Sequence, residues 1–169
     1  MNPIPKDPSG WWLSEKLDGV FCRWSGTAFL SRNGHRFTPP ASWLIGMPSS
    51  MLDGELWMGR GTFDSLVSSI QRRKSDWQGI RFMVFDLAQL HLPIEARHAA
   101  LGRLQLPPWV QLVNHRRCLS EADLDASEAG VVSSGGEGLV LREPQSFYRP
   151  GNFIKVKRYH RDLDRSMLD

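Results

Sequence analysis

The sequence has few cysteines and no long apolar run, and both features narrow the kinds of protein it can be. Its 169 residues include two cysteines, Cys22 and Cys118, far apart and outside any Cys-x-x-Cys pair. We therefore expect free thiols rather than a disulfide framework. Apolar runs are short, as in residues 82–85. A bilayer span needs about 20 apolar residues, so no transmembrane helix is expected.

Signals for export and for zinc are also missing from the sequence. Residues 1–8 contain an acid, three prolines and no apolar stretch, which is unlike a secretory signal and predicts a cytoplasmic protein. The five histidines are scattered, and none has a metal-ligand spacing with another histidine or a cysteine. A structural zinc site is therefore not expected.

Basic residues slightly exceed acidic ones and are unevenly distributed. The chain has 21 Lys and Arg against 18 Asp and Glu, a formal net charge of +3. The basic residues gather in segments 72–74, 116–117 and 155–161. This pattern permits a polyanionic partner but does not identify one.

Patterns of hydrophobicity, glycine and proline predict a mixture of strands and helices. We expect a strand, turn and strand over residues 11–32, an antiparallel opening, and a helix from Thr62 with Phe63, Leu66, Val67 and Ile70 on one face. Pro93 and Ser120 each mark the start of a further helix, to about Leu104 and Val132. The remaining predictions are a short helix at 40–45 and strands at 51–58, 80–87, 109–114, 138–142 and 153–157.

These elements do not alternate as strict βαβ units, and the length suits one domain. The prediction is therefore an α+β domain built on antiparallel sheet. There is no internal repeat or low-complexity tract.

Five short segments carry charged or aromatic residues that period-two strands would aim at one face. They are residues 15–19, 52–57, 82–86, 137–141 and 155–157. Taken singly, each has an ordinary explanation: a lysine beside an acid is usually a solvated surface pair, Asp-Gly is usually a turn, and a lone phenylalanine usually packs in a core. All five segments together, in this order, are much less common in proteins than any one of them alone.

In order and rough spacing, these segments resemble the motifs of the covalent nucleotidyltransferases, the superfamily of ATP-dependent DNA ligases, RNA ligases and mRNA capping enzymes. The resemblance runs from about Trp11 to Lys157. The residues of these motifs are most similar to those of small bacterial and phage-type DNA ligases. The matching stretches are Lys16-Leu17-Asp18-Gly19, Ser31-Arg32-Asn33-Gly34, Asp53-Gly54-Glu55-Leu56-Trp57, Phe85-Asp86, Glu137-Gly138-Leu139-Val140-Leu141 and Lys155-Val156-Lys157.

The resemblance implies an ATP-dependent DNA ligase that forms a covalent lysyl-AMP and seals 5′-phosphate/3′-hydroxyl nicks. The implied catalytic residues are Lys16, Asp18, Lys155 and Lys157. The implied nucleotide-binding residues are Glu15, Lys16, Arg32, Glu55, Phe85, Lys155 and Lys157, with Phe85 stacked on adenine and Glu55 bonded to a ribose hydroxyl. Glu137 and Glu55 are the implied Mg²⁺ ligands, and Arg32, Arg60, Lys157 and Arg158 are candidates for contacts to DNA phosphates.

This chemistry places a requirement on Lys16, because an amine attacks phosphorus only when it is unprotonated. Its pKa must therefore fall. Like charge from Lys155 and Lys157, partial burial and a bound metal are the available causes. The same two lysines would neutralise charge that develops on the phosphate during transfer.

Two features depart from the family pattern. Phe21 stands where the nucleophile motif usually has an arginine, and Arg23, two residues on, is the candidate to compensate. Residues 1–157 are assigned to the nucleotidyltransferase domain, and the tail 158–169 is too short for the OB-fold domain that normally follows. The expectation is therefore a domain without an OB-fold, either cut from a longer ligase or acting as a minimal enzyme.

The expected partner is nicked double-stranded DNA, with no membrane association and a monomeric state. Two alternatives stay open. One is an RNA ligase or a capping-type guanylyltransferase, which covalent labelling by ATP or GTP would separate. The other is a nucleic-acid-binding domain whose catalysis has lapsed, motivated by Phe21 and the short tail.

Overall fold

A computed structural model of the chain describes residues 3–72 and 77–157. Arg158 and the rest of the predicted tail lie outside the described residues. The strands are β1 Trp12–Glu15, β2 Val20–Trp24, β3 Phe29–Leu30, β4 Leu52–Trp57, β5 Arg81–Leu87, β6 Val110–Leu112, β7 Arg116–Arg117, β8 Leu139–Arg142 and β9 Ile154–Val156. The helices are α1 Phe63–Gln71, α2 Ile94–Leu101 and α3 Glu121–Ser133, with a 3₁₀ turn at Ala41–Leu44.

The strands form two sheets with separate cores. The smaller sheet has the order β7-β1-β8-β9, and all its pairings are antiparallel. Its apolar core includes Leu13, Leu124 and Leu141. The larger sheet has the order β3-β2-β4-β5-β6 and a core that includes Phe29, Leu56 and Phe82. This architecture confirms the predicted α+β fold.

One strand departs from the antiparallel prediction. β6 pairs with β5 in parallel, with Phe82 opposite Val110. Parallel neighbours need a crossover connection, and α2 lies in the segment between these two strands. The strand itself was predicted at 109–114, but its direction depends on a pairing that local periodicity does not specify.

The predicted antiparallel opening over residues 11–32 is only partly correct. β2 and β3 do pair antiparallel, but β1 lies in the smaller sheet and β2 in the larger one. Residues 16–19 therefore form a crossover between sheets rather than a hairpin turn. Gly19 makes this possible because a Cβ there would collide with the carbonyl oxygen of Leu56.

The helices follow their sequence signals closely. α1 begins after Thr62 as predicted. α3 begins after Ser120, whose side chain accepts a hydrogen bond from the Asp123 amide at 3.1 Å. α2 ends three residues before the predicted Leu104, and the chain continues to Leu104 through the tighter hydrogen bonds from the Arg103 amide to the Ala100 carbonyl and from the Leu104 amide to the Leu101 carbonyl, each at 3.1 Å. In the described part of the chain, no helix has both the length and the apolar character needed to cross a membrane.

Candidate functional site

A cavity of about 510 Å³ lies where the two sheets face each other. Its walls come from β1 and β8 of the smaller sheet, from β2, β4 and β5 of the larger sheet, and from the loop 143–153 that joins β8 to β9. The volume falls within the ~300–1,000 Å³ typical of small-molecule sites. Charged and aromatic side chains both line it, as a nucleotide would require.

Most of the predicted nucleotide-binding residues meet at this cavity. Six of them line it: Glu15, Lys16, Arg32, Glu55, Phe85 and Lys155. Asp18, Arg60, Glu137 and Lys157 are not among the lining residues, although Glu137 and Lys157 contact Lys16 or its partner directly. Arg158 lies beyond the described residues, so its predicted DNA contact stays a prediction.

One carboxylate joins two of the three predicted catalytic lysines. Lys16 Nζ donates to one oxygen of Glu137, and Lys157 Nζ donates to the other. The backbone amide of Lys16 also donates to the Gly138 carbonyl at 2.8 Å. Gly138 has a φ of +145°, and a Cβ there would collide with the Val156 carbonyl oxygen. Glycine at this position therefore allows β9 to bring Lys157 close to Glu137.

Burial changes the acidity of both lysines. Burial lowers the pKa of Lys16, although the carboxylates of Glu55 and Asp18 oppose the shift. Burial and the positive charge of Lys16 lower the pKa of Lys157. The direction matches what the sequence required of Lys16. The largest cause is burial rather than the like charge of the other lysines.

Glu55 lines the cavity from β4 and is difficult to ionise. Burial raises the pKa of Glu55 to about 7, against the opposing effects of Lys16 and Arg32. The neighbouring Phe21, which pairs with Glu55 across β2 and β4, supplies no compensating charge. The carboxyl is therefore close to half protonated at neutral pH and can donate or accept a hydrogen bond.

The phenylalanine that stands in place of the expected arginine lies in an aromatic part of the cavity. The Phe21 and Phe85 rings are 6.4 Å apart between centroids, and the Arg32 guanidinium lies 4.7 Å from the Phe21 centroid. Arg23 also lines the cavity, but it donates to both oxygens of Asp53 at 2.6 and 2.9 Å. Arg23 was predicted to compensate for the arginine that Phe21 replaces, but its guanidinium is already bound to the buried Asp53.

Arg60, predicted to contact DNA, has a partner inside the protein. Its Nε and Nη2 donate to the two oxygens of Glu15, each at 2.9 Å, and its Nη1 donates to the Ser134 carbonyl at 3.1 Å. This contact holds the segment after β4 against the end of β1, next to Lys16. Glu15, predicted to bind the nucleotide, lines the cavity while its carboxylate is paired with Arg60.

The sequence analysis missed the contribution of the β8–β9 loop. Tyr148, Arg149, Asn152 and Phe153 all line the cavity. Tyr148 is buried, donates to Asp53 at 2.5 Å and accepts from Arg23 at 2.6 Å. No sequence signal pointed to this loop, because it joins the ends of β8 and β9 that lie away from Glu137 and Lys157.

The carboxylates near Lys16 suit magnesium bound together with a nucleotide. Among the described residues, no three or more His, Cys, Asp or Glu side chains are placed to hold a metal ion together. Mg²⁺ usually takes only one or two protein carboxylates, with phosphate oxygens and water completing its shell. Glu137 and Glu55 both interact with Lys16. This donor set fits a metal that arrives with phosphates.

Comparisons with known proteins agree with the geometry. No protein-family model matches the sequence. A curated DNA ligase from Haemophilus influenzae is 32% identical over 155 residues, which cover 88% of this chain and 58% of that protein. A solved structure from work on Lig E DNA ligases, described as DNA binding with a minimal scaffold, has a TM-score of 0.84 at 33% identity and covers 89% of this chain and 63% of its own.

A more distant structure shares the fold. The Chlorella virus DNA ligase-adenylate matches with a TM-score of 0.70 at 18% identity, over 88% of this chain and 61% of its own. This chain therefore spans about three fifths of the length of these relatives. With one-third identity over nearly nine tenths of its length and a matching fold, the chain is similar to small ATP-dependent DNA ligases and has the fold of their nucleotidyltransferase (adenylation) domain.

Proposed function

We propose that this chain transfers AMP from ATP to Lys16 and then to the 5′-phosphate of nicked double-stranded DNA, which it seals. The observation that carries the proposal is the placement of Lys16 on the wall of a nucleotide-sized cavity, bonded to the same carboxylate as Lys157. Burial that lowers the pKa of Lys16 supports its use as a nucleophile.

In the first step the neutral amine of Lys16 attacks the α-phosphorus of ATP. The new N–P bond forms as the bond to the bridging oxygen of pyrophosphate breaks, and the surplus proton of the amine passes to water. Lys155 and Lys157 place positive charge where negative charge grows on the phosphate oxygens. Phe85 offers an aromatic face to the base, and Glu55 a hydrogen bond to the ribose.

Glu137, with Glu55 nearby, would hold Mg²⁺ together with the phosphates. The ion would neutralise phosphate charge and orient the leaving group. Glu137 also sets the positions of Lys16 and Lys157, since both amines donate to it. Glu137 thus positions both Lys16, the nucleophile, and Lys157, whose positive charge stabilises the phosphate.

In the later steps a 5′-phosphate oxygen of the nick attacks the phosphorus held by Lys16, and the lysine leaves. The 3′-hydroxyl then attacks the 5′-phosphorus, and AMP leaves. Arg32, Arg60, Lys157 and Arg158 are proposed to contact DNA phosphates, because cations supply most of the sequence-independent affinity for DNA. A monomer suffices for this scheme.

Intact mass spectrometry after incubation with ATP and Mg²⁺ tests the first step. We expect the chain to gain one AMP, and Lys16→Ala to gain none because alanine has no nucleophile. Lys16→Arg keeps the charge but not the nucleophilic amine, and should also stay unmodified. The exposed Lys6 provides the matched control, and Lys6→Ala should label normally. AMP uptake by Lys16→Ala would contradict the proposal.

Labelling with GTP, transfer to nicked RNA and DNA binding separate the alternatives. Labelling by GTP and not by ATP would favour a capping-type guanylyltransferase, whereas transfer to nicked RNA and not to nicked DNA would favour an RNA ligase. Binding of DNA with no covalent adduct from either nucleotide would favour a lapsed enzyme. Phe21 in the cavity is the observation that keeps the last alternative in view.

A further inference from the structure

Two neighbouring cross-strand pairs between β2 and β4 lie at the cavity, and they differ in charge. Arg23 lies opposite Asp53, and its guanidinium donates to both oxygens of that acid at 2.6 and 2.9 Å. Two residues earlier on β2, Phe21 lies opposite Glu55. Residues two apart on a strand face the same side of the sheet, and all four residues line the cavity. Glu55 is therefore an acid without a cation directly across the ladder.

A cation reaches this position from the turn after β3. The Arg32 guanidinium carbon lies over the Phe21 ring, 4.7 Å from its centroid, and a ring attracts a cation within about 6 Å. Burial raises the pKa of Glu55, and the charges of Lys16 and Arg32 oppose that rise. Arg32 thus lies against the ring of Phe21 and acts on the carboxyl group opposite that ring.

The backbone around Arg32 is fixed by hydrogen bonds, whereas its side chain is held by Phe21. The Ser31 amide donates to the His35 carbonyl at 2.8 Å, the Gly34 amide to the Ser31 carbonyl at 3.0 Å, and the His35 amide to the Ser31 hydroxyl at 3.1 Å. These bonds close the turn on which Arg32 lies. In the described part of the chain, no hydrogen bond or ion pair holds the Arg32 guanidinium, so the ring sets its position.

The neighbours of Phe21 show which part of a nucleotide would lie there. Its ring centroid is 6.4 Å from that of Phe85, the residue proposed to stack on the base. Phe21 also lies opposite Glu55, which interacts with Lys16, the residue proposed to attack the α-phosphorus. The ribose joins these two parts of a nucleotide and would therefore lie beside Phe21. A guanidinium at this level offers donors to the hydroxyl oxygens of a sugar.

We propose that Phe21 is a positioning residue, whose ring holds the Arg32 guanidinium beside Glu55, where the two groups bind the ribose of the nucleotide. This inference rests on the proposed function, because it takes ATP as the ligand. An aromatic residue on β2 and an arginine on the next turn thus do together what one arginine opposite Glu55 could do alone, as Arg23 does opposite Asp53. Phe21 then supports catalysis instead of marking its loss.

A double-mutant cycle is the first arm of the test, with the wild type, Phe21→Leu, Arg32→Ala and the double variant. Phe21→Leu keeps an apolar side chain and removes the ring. The readout is the ATP concentration that gives the half-maximal rate of lysine labelling, measured by intact mass. We expect Arg32→Ala to raise this concentration about tenfold and Phe21→Leu about three- to tenfold. In the Arg32→Ala background, Phe21→Leu should add nothing, because the group that the ring holds is gone.

A purely structural role of Phe21 predicts a different result. The ring would then only pack the cavity wall, and its loss would raise the half-saturating concentration by the same factor in both backgrounds. Equal factors, or the absence of an effect in either single variant, would overturn the proposal. Phe63→Leu and Arg36→Ala, both at exposed residues outside the cavity lining, are the matched controls and should label as the wild type does.

The second arm moves the cation to β2. Phe21→Arg combined with Arg32→Ala places a guanidinium directly opposite Glu55, in the arrangement that Arg23 and Asp53 already show. We expect this variant to reach the half-maximal rate within about threefold of the wild-type ATP concentration, because an opposite charge across the ladder restores the pair. A variant that labels no better than Arg32→Ala would overturn the proposal.

These outcomes separate this inference from the proposed function. If the wild-type protein forms no adduct with ATP, the proposed function fails. If it labels with ATP while the cycle shows no coupling between Phe21 and Arg32, only the role of Phe21 fails.

Discussion

At the scale of single residues, the site depends on groups whose charge is set by burial. Lys16 and Glu55 both lie at the cavity, and burial shifts each pKa toward the neutral form. A neutral amine is the reactive form of Lys16, so burial favours catalysis there. For Glu55 the same burial makes ionisation costly, which has a measurable effect on stability.

Glu55 should make the protein less stable as pH rises from about 4.5 to 7. In that window the unfolded carboxyl has lost its proton while the folded one, with a pKa of about 7, retains it. The unfolded state thus binds fewer protons, and the free energy of unfolding falls with pH. Glu55→Gln removes this loss and should gain on the order of 2 kcal/mol over wild type between pH 4.5 and pH 8.

Urea unfolding of both proteins at pH 4.5, 6 and 8 measures this change. The difference between Glu55→Gln and wild type should grow with pH and then level off above about pH 7. Glu143→Gln, at an exposed carboxyl, serves as the control and should show no such trend. A constant difference for Glu55→Gln across the three pH values would contradict the assigned pKa.

Several site residues could be predicted because the short motifs that contain them resemble, in order and rough spacing, those of a known family. Lys16, Glu55 and Phe85 were identified through that resemblance, and the structure gathers them at the cavity. Tyr148 could not be identified, because its importance comes from what surrounds it. A tyrosine bonded to a buried acid becomes visible only when distant segments are brought together.

At the scale of elements, hydrogen bonds from the β8–β9 loop connect the smaller sheet to the larger one. Its Tyr148 bonds to Asp53 of β4, and the Ser146 carbonyl accepts from Arg97 of α2 at 2.9 Å. The loop also contributes a wall of the cavity. The position of that wall therefore depends on hydrogen bonds to the larger sheet and to α2.

Tyr148→Phe tests this connection, because it removes only the hydroxyl that donates to Asp53. The ring is kept, but Asp53 loses one of its donors, so we expect a loss of about 1–2 kcal/mol in stability. Because the loop wall should then be less well positioned, the KM for ATP in lysine labelling should rise severalfold while the maximal rate changes less. Calorimetry and labelling kinetics measure the two effects. Lower stability with an unchanged KM would show that the loop only stabilises the fold.

Local signals were sufficient for the helices and insufficient for strand pairing. Ser120 predicted the start of α3, and Thr62 predicted that of α1. The parallel pairing of β6 and the passage of residues 16–19 between sheets were not predicted. Both depend on contacts between segments far apart in sequence, and these leave no periodicity in either segment alone.

At the scale of the whole molecule, the net charge of +3 favours association with a polyanion. The net charge alone does not say which basic residues contact the polyanion. Arg60 is a useful probe because it lies outside the cavity lining and pairs with Glu15 at the partly exposed surface. An exposed ion pair of this kind contributes little stability. Its removal should therefore leave the fold intact.

Arg60→Ala should weaken binding to a nicked duplex and make it less sensitive to salt. Loss of one phosphate contact lowers the slope of log affinity against log salt by about one. Fluorescence anisotropy across a salt series measures the slope, with Arg103→Ala as an exposed charge control. Equal slopes for the two variants would mean that Arg60 serves Glu15 rather than DNA.

The separate cores of the two sheets have a consequence for how the domain unfolds. In the described part of the chain, each sheet buries its own apolar cluster, and the cavity lies between them. A nucleotide in that cavity would touch both sheets and be lost if either one opened. Occupancy would thus add contacts across the boundary between the two apolar clusters, which the β8–β9 loop bridges through its hydrogen bonds to Asp53 and Arg97. A bound nucleotide would therefore make the unfolding of the two sheets more cooperative and would raise the free energy of unfolding of the whole domain.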